Sequence, residues 1–392
     1  MKKRVRSGLE VFLEEKPDWI KGLKMGLLSN QASVGPDFTH SRHLINQAYP
    51  GQLAAIYSPQ HGFRGEKQDN MMESEDLVDP ELNIPIFSLY SYTRRPTPEM
   101  MDPIDVIIID IQEVGCRVYT FISTVAYLMT AAADFGKELV ILDRPNPIGG
   151  LEVEGNILKQ HLSSFVGLYP IPMRHGMTIG EMAGLFNQEF EIGCSLHVMR
   201  VDGWRREMYF PETGLPWVLP SPNMPTPETA IVYPGQVVLE GTNASEGRGT
   251  TKPFEIFGAP YIEPAKFKTA LEREKLPGVI FRESWFEPRF SKWTGQLCGG
   301  LQIHVIDKKV FRPYLTTLTI ISRLLELYPE NFKWRQDPYE YEDQKLAIDL
   351  LLGNETIRHG LEKGVPPKEL ATSWTDELAT FMDLRAGYLL YK

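Results

Sequence analysis

An open, doubly wound α/β domain on a mainly parallel sheet, followed by a smaller α+β domain, is the fold the sequence predicts. Three observations carry this. Through the first two hundred residues, short apolar runs alternate with helical patterns, at 24–30 (KMGLLSN), 53–58, 84–90, 105–111 (DVIIIDI) and 139–143. Runs such as VIII and LVIL are apolar at successive positions, as in strands covered on both faces of a parallel sheet. Near Asp202 the texture then changes: WVLPSPNMPTPETAIVYPG is Pro-rich and EGTNASEGRGTTKPFEIFGAP is Gly-rich and polar.

These features predict an α/β domain over 1–201, a junction with binding loops over 202–260, and a smaller α+β domain over 261–392. Helices are expected at 119–135, at 314–327 and, amphipathic, at 368–388. Thr178 followed by Glu181 reads as a capping box opening a helix that ends near Phe190. The last domain also has a strand-like GGLQIHVID.

With 392 residues the chain is long enough for a large core, and its formal net charge of −10 argues against a phosphate-backbone partner. Cys116, Cys194 and Cys298 lie far apart and form neither a CxxC pair nor a disulfide framework, so they read as small buried hydrophobes. The start, MKKRVRSGLEVFLEEKPDWI, breaks into charges before an apolar run develops. That predicts no signal peptide and a cytoplasmic address as written, or an extracellular or periplasmic one if a leader has been removed. The longest apolar segment, YTFISTVAYLMTAAADFG, is too short and polar for membrane insertion.

Ligands of open α/β sheets bind beyond the carboxyl ends of the strands, which directs attention to the polar clusters there. SPQHGFRGE supplies Gln60, His61, Arg64 and Glu66; DIQEVGCRVYT supplies Asp110, Gln112, Glu113, Arg117 and Tyr119. DRPNP supplies Asp143, Arg144 and Asn146, and PMRHGMT supplies Arg174 and His175. Each has a plain structural alternative: Asp143 and Asp110 as helix caps, His61 as a satisfied histidine, Arg117 and Arg144 as ion-pair partners. Convergence on one sheet edge favours a site, with His61, Glu113, Asn146 and His175 expected in a common pocket. Gly247 and Gly249 suit a loop over 243–251 that brings Asn243, Glu246 and Arg248 over the ligand.

No GxxxxGK[ST], GxGxxG, HExxH or GxSxG motif is present, so nucleotide cofactors, zinc and a serine triad are not predicted. The groups that remain suit a polyhydroxylated ligand: acids and amides for hydroxyls, aromatic rings for sugar faces, arginine for a carboxylate.

At these clusters the chain resembles the bacterial exo-β-N-acetylmuramidase family, formerly a domain of unknown function. SPQHGFRG, SLYSYTRRPTPEM, DIQEVGCRVYTFI, LDRPNPIGG, FVGLYPIPMRHGMTIGE, LPSPNMPTPE and EGTNASEGRGTTKPFE carry the resemblance in order, and FSKWTGQLCGGLQIHV extends it. The resemblance implies a Rossmann-like domain, a smaller C-terminal domain and an active site between them. It also implies removal of terminal N-acetylmuramic acid from peptidoglycan fragments during cell-wall turnover and recycling. Catalytic positions then fall on Gln60, His61, Asp110 and Glu113. Sugar contacts fall on Arg64, Arg117, Tyr119, Asp143, Asn146, Arg174, His175, Asn223, Asn243, Glu246 and Arg248. Arg117, Arg174 and Arg248 are the choices for the lactyl carboxylate.

One position departs from the family pattern. Pro-Glu-His-Gly, with a catalytic glutamate, is expected after the second strand, and this chain has Pro59-Gln60-His61-Gly62. An amide cannot exchange a proton at neutral pH. Two functions follow: an exo-muramidase, impaired or served by a carboxylate at Glu113, Asp110 or Glu246, or a protein that binds muramyl sugars without cleaving them.

Overall fold

The structure, a computed structural model, describes residues 4–392. Its centre is a seven-stranded sheet. In chain order the strands are β1 (Met25–Leu28), β2 (Leu53–Ser58), β3 (Leu77–Val78), β4 (Pro85–Ser88), β5 (Val106–Ile109) and β6 (Glu138–Leu142). A hairpin of β7 (Glu154–Ile157) and β8 (Pro172–Arg174) stands apart, and β9 (Ser195–Met199) closes the sheet. The order across the sheet is β3-β4-β2-β1-β5-β6-β9, with every pairing parallel except β3 against β4.

Parallel pairing follows from the sequence. β5 reads VIII and all four residues are buried, so both of its faces need cover, which crossover helices supply. The helix Phe121–Asp134 gives that cover with ten buried residues. The chain winds from β1 towards β2 and β4, then restarts beside β1 at β5 and winds the other way to β6 and β9. This is the doubly wound topology, with its switch between β1 and β5.

Each of the five apolar runs forms a strand of this sheet. The capping box is present as well: Thr178 accepts from the Glu181 backbone, the Glu181 carboxylate accepts from the Thr178 backbone, and the helix runs Ile179–Glu189. A second capping box, Ser7 with Glu10, opens the helix Gly8–Glu15.

The C-terminal part carries an antiparallel sheet of β10 (Ile256–Ala259), β11 (Val279–Phe286) and β12 (Cys298–Val305), in the order β10-β12-β11. The helix Pro313–Leu327 packs there with ten buried residues. Two expectations are corrected. The single C-terminal helix is two, Pro367–Thr372 and Thr375–Ala386, broken near Ser373 and Trp374. The Pro-rich junction is not all loop, because Pro227–Gln236 is helical with Pro227 at its first turn, where a missing N–H costs nothing.

One hydrophobic cluster runs from Leu28 and Tyr57 of the central sheet through Tyr233 and Phe257 to Ile321 and Phe381. The two parts therefore share a core, which fixes their loops against each other. All three cysteines are buried and free, and burial pushes the Cys116 thiol up to about 12. Among the described residues no helix is long and apolar enough to cross a membrane.

Candidate active site

Loops from both parts line a small pocket with a cavity volume of about 30 Å³. β2 delivers the first residues. Immediately after Ser58 the chain turns through Pro59–Gly62, closed by the Gly62 amide donating to the Pro59 carbonyl at 3.2 Å. His61 there has φ 76°, a left-handed backbone that side chains with a β-carbon resist and that often marks a functional turn. Its Nδ1 lies 2.7 Å from the Lys67 carbonyl, so Nδ1 carries the proton and Nε2 is left as an acceptor. Burial lowers the His61 pKa to about 4, and the imidazole is neutral near neutral pH.

Gln60 is held on three sides. Thr120, at the start of the helix Phe121–Asp134, donates its hydroxyl to Gln60 Oε1 at 2.6 Å. Gln60 Nε2 donates to Asn70 Oδ1 at 2.9 Å and to Glu340 Oε1 at 3.0 Å. Asn70 Nδ2 in turn donates to Glu240 Oε2 at 3.0 Å, which orients the Asn70 amide and, through it, that of Gln60.

Two glutamates from the second part of the chain thus meet the end of β2. Their surroundings push them in opposite directions. Burial alone would raise Glu240, but the Arg248 guanidinium at 2.7 Å and the Tyr339 hydroxyl at 2.7 Å hold its carboxyl below the ordinary value. Glu340 is 4% exposed and its hydrogen bonds come from neutral groups, the Gln60 amide and the Tyr90 hydroxyl at 2.7 Å. Burial pushes its pKa up to about 6. The pocket therefore holds one firmly ionised carboxylate and one that protonates in weakly acidic solution.

Arg248 completes the wall. It donates to Glu240, lies 3.3 Å from Glu246, and its buried Nη1 has no protein partner. The loop geometry depends on glycine: Gly247 and Gly249 have φ 82° and 79°, and a β-carbon on Gly247 would meet the Ile256 carbonyl at 2.5 Å. Tyr119, Tyr233 and Phe254 line the same space, packed edge to face at 5.6 and 4.8 Å.

Of the residues expected from sequence, Gln60, His61, Tyr119 and Arg248 line this pocket. The remainder lie elsewhere for identifiable reasons. Asp110 is fully buried in a two-point ion pair with Arg144, at 2.7 and 3.0 Å. Asp143 accepts from the Arg144 and Gly180 amides and from the Thr178 and Tyr391 hydroxyls, and so ties a helix start and the C-terminal segment to the end of β6. Arg117, fully buried, donates to the Leu351 and Leu352 carbonyls, and Arg174 to the Ile148 carbonyl at 2.5 Å.

Asn146 bridges Met177 and Ile148, and Asn223 donates to the Gln68 carbonyl. Asn243 joins Asn331, Tyr261 and Lys333, and Glu246 is held by Lys292 at 2.8 Å. Arg64 is exposed. Glu113 and His175 are buried as a pair, Nε2 to Oε2 3.6 Å, with Glu113 Oε1 and His175 Nε2 lacking hydrogen-bond partners. Of the expected group His61, Glu113, Asn146 and His175, only His61 lines this pocket; the other three are buried and bond to backbone, Glu113 to the Gly115 amide, Asn146 to Met177 and Ile148, and His175 to the Met177 amide.

Glu240, Glu340, Asn70, Tyr90 and Tyr339 were not read from sequence. Tyr90 lies within the motif SLYSYTRRPTPEM, which was a signal for it. The two glutamates follow no strand of the parallel sheet.

A wider groove lies between Tyr209, Ile231, Lys252, His304 and Lys308. Two of its lysines are paired, Lys252 with Glu255 at 2.9 Å and Lys308 with Glu212 at 3.3 Å.

Comparison with known proteins agrees with this architecture. Residues 25–228 match the family model described as Exo-beta-N-acetylmuramidase NamZ, N-terminal, and residues 231–391 match its C-terminal counterpart. A curated relative, the peptidoglycan beta-N-acetylmuramidase NamZ of Bacillus subtilis (strain 168), is 43% identical over 390 residues, covering 100% of this chain and 92% of that protein. Crystal structures of two DUF1343 family proteins from Bacteroides fragilis NCTC 9343 are similar in fold. One has a TM-score of 0.90 at 34% identity over 100% of both chains. The other has 0.77 at 28% identity over 100% of this chain and 99% of that one. Over both of its parts, then, the chain belongs to the NamZ family of exo-β-N-acetylmuramidases.

Proposed function

We propose that this chain hydrolyses the terminal β-N-acetylmuramic acid from peptidoglycan fragments, in the pocket between β2 and the C-terminal part. One observation carries the reading: two buried glutamates, Glu240 and Glu340, share the pocket while their surroundings drive their proton affinities apart. Glycoside cleavage asks for that division of labour, since one group must give a proton and a negative charge must face the oxocarbenium-like centre. Glu240, held ionised by Arg248, supplies the charge.

The remaining wall suits a muramyl sugar. Tyr119, Tyr233 and Phe254 offer apolar ring edges and faces, and Asn70 and His61 Nε2 offer polar groups for hydroxyls. The free Nη1 of Arg248 supports an arginine contact to the lactyl carboxylate. Arg117 and Arg174 are not part of this reading, because neither lines the pocket.

A second reading, binding without cleavage, rests on Gln60, an amide where the family pattern has a glutamate. Incubation with a chromogenic β-N-acetylmuramide separates the two. Release of the chromophore with free N-acetylmuramic acid supports hydrolysis, whereas saturable binding with no release selects the second reading.

A further inference from the structure

We infer that Glu340 is the proton donor to the glycosidic oxygen in this chain, and that Gln60 is the residue that positions it. The inference rests on the hydrolytic reading above and names the group that carries its acid step.

Glu340 reaches the pocket by an unusual piece of backbone. The Tyr339 amide donates to the Glu342 carbonyl at 3.1 Å and the Glu342 amide returns to Tyr339 at 3.0 Å, so Glu340 and Tyr341 are the centre of a two-residue turn. Both have positive φ, 49° and 67°. Turns of this kind are ordinarily made from Asn and Gly, since other side chains strain there. Strain of this sort persists where the surrounding structure over-determines it, and functional sites are where it gathers. The product of this turn is a carboxyl buried beside the end of β2, with donors on both of its oxygens.

The groups facing Glu340 suit an acid that must be protonated before it acts. Gln60 and Tyr90 are neutral donors. The ionised Glu240 across the pocket opposes a second negative charge, while Arg94, lying over the Tyr341 and Tyr90 rings, draws the other way. Burial outweighs the stabilising contacts and leaves the carboxyl titrating at about 6. An amide at position 60 fits this role. A glutamate there would compete with Glu340 for one proton, as like charges in contact do.

In the acid step the bond from C1 to the leaving oxygen breaks and its electron pair stays on that oxygen, which takes the Glu340 proton and departs as the alcohol. A water oxygen bonds to C1, and the proton it releases restores Glu340. Gln60 takes part only by holding the carboxyl.

Rates on β-N-acetylmuramides with different leaving groups test the assignment in the full chain. With a sugar leaving group, Glu340→Gln is expected to lose roughly 10²–10⁴-fold in kcat, the usual contribution of a positioned acid. With a strongly acidic phenol as leaving group, which departs without protonation, most of that loss should vanish. A merely structural role would slow both substrates alike. Gln60→Ala should lower kcat more than it raises KM and move the alkaline limb of the pH profile. Gln60→Glu should bring no large gain and move that limb upward.

Equal loss on both leaving groups, or no loss in Glu340→Gln, overturns the assignment. So does a gain of about 10²-fold or more in Gln60→Glu, which would make position 60 the vacant acid. If Glu340→Gln does not fold, Glu340→Asp keeps the carboxyl, and the same leaving-group comparison is made with it. Wild-type protein that binds N-acetylmuramic acid but releases no product from either substrate defeats the hydrolytic reading itself. Cleavage that ignores Glu340 defeats only the donor.

Discussion

Gln60 and Glu340, 280 positions apart in the chain, meet with the amide nitrogen 3.0 Å from a carboxylate oxygen. One follows a strand of the parallel sheet and the other sits on a turn of the C-terminal part. Their contact joins two sides of the pocket wall, and it couples the proton affinity of Glu340 to the docking of the two parts. Four outcomes follow from this arrangement and from the buried charges around it.

Glu340 should leave a mark on stability that requires no turnover. Its folded pKa of about 6 lies above its ordinary value of 4.5, so the native state holds the proton over a window where the unfolded chain has released it. The resulting stabilisation is complete below pH of about 4.5 and is lost as pH rises through about 6, a difference of about 2 kcal/mol. Urea denaturation at several pH values should show a slope that is smaller in Glu340→Gln than in the wild type by about this amount, the remainder coming from groups such as Asp143, which burial pushes up to about 7.

Tyr90→Phe removes the hydroxyl that donates to Glu340 at 2.7 Å. Its hydrogen bond favours the carboxylate, so the variant should protonate more readily and titrate above about 6. The alkaline limb of the kcat/KM profile is expected to move to higher pH. A limb that stays in place separates Glu340 from the titration that controls rate.

Arg248→Met removes the ion-pair partner of Glu240, which is buried and keeps hydrogen bonds only from the neutral Asn70 and Tyr339, with the Lys292 charge the cation that remains to favour its ionised form. Breaking a buried ion pair from one side typically costs about 3–5 kcal/mol. Pairing it with Glu240→Gln should return part of that loss, which a double-mutant cycle in urea measures. Affinity for N-acetylmuramic acid should stay low in the double variant, because the guanidinium is gone.

Asp110 and Arg144 carry the opposite expectation. Their ion pair is buried outside the pocket, so Asp110→Ala should destabilise the fold by about 3–5 kcal/mol. At a temperature where the variant is folded, KM for the chromogenic substrate should match the wild type. A large rise in KM would return Asp110 to the site.

The apolar pattern settled the central sheet and the positions of the loops that follow its strands. β1, β2, β4, β5 and β6 are legible because strands covered on both faces need near-continuous apolar runs. The edge strand β9 is partly exposed and mixes Ser and His with Leu, Val and Met, so no such run marks it. β7 and β8 are short and lie outside the central sheet. The sequence also placed Gln60, His61, Tyr119 and Arg248 in motifs rich in polar residues, but could not say which neighbours faced ligand and which faced backbone. That choice depends on which buried carbonyls and amides lack partners, and so Arg117, Asp143 and Asn146 turned inward. Glu240 and Glu340 were settled by tertiary structure alone. They join Gln60 only when the second part docks on the first through the shared core, and their opposed proton affinities arise from burial and neighbours that no local stretch of chain contains.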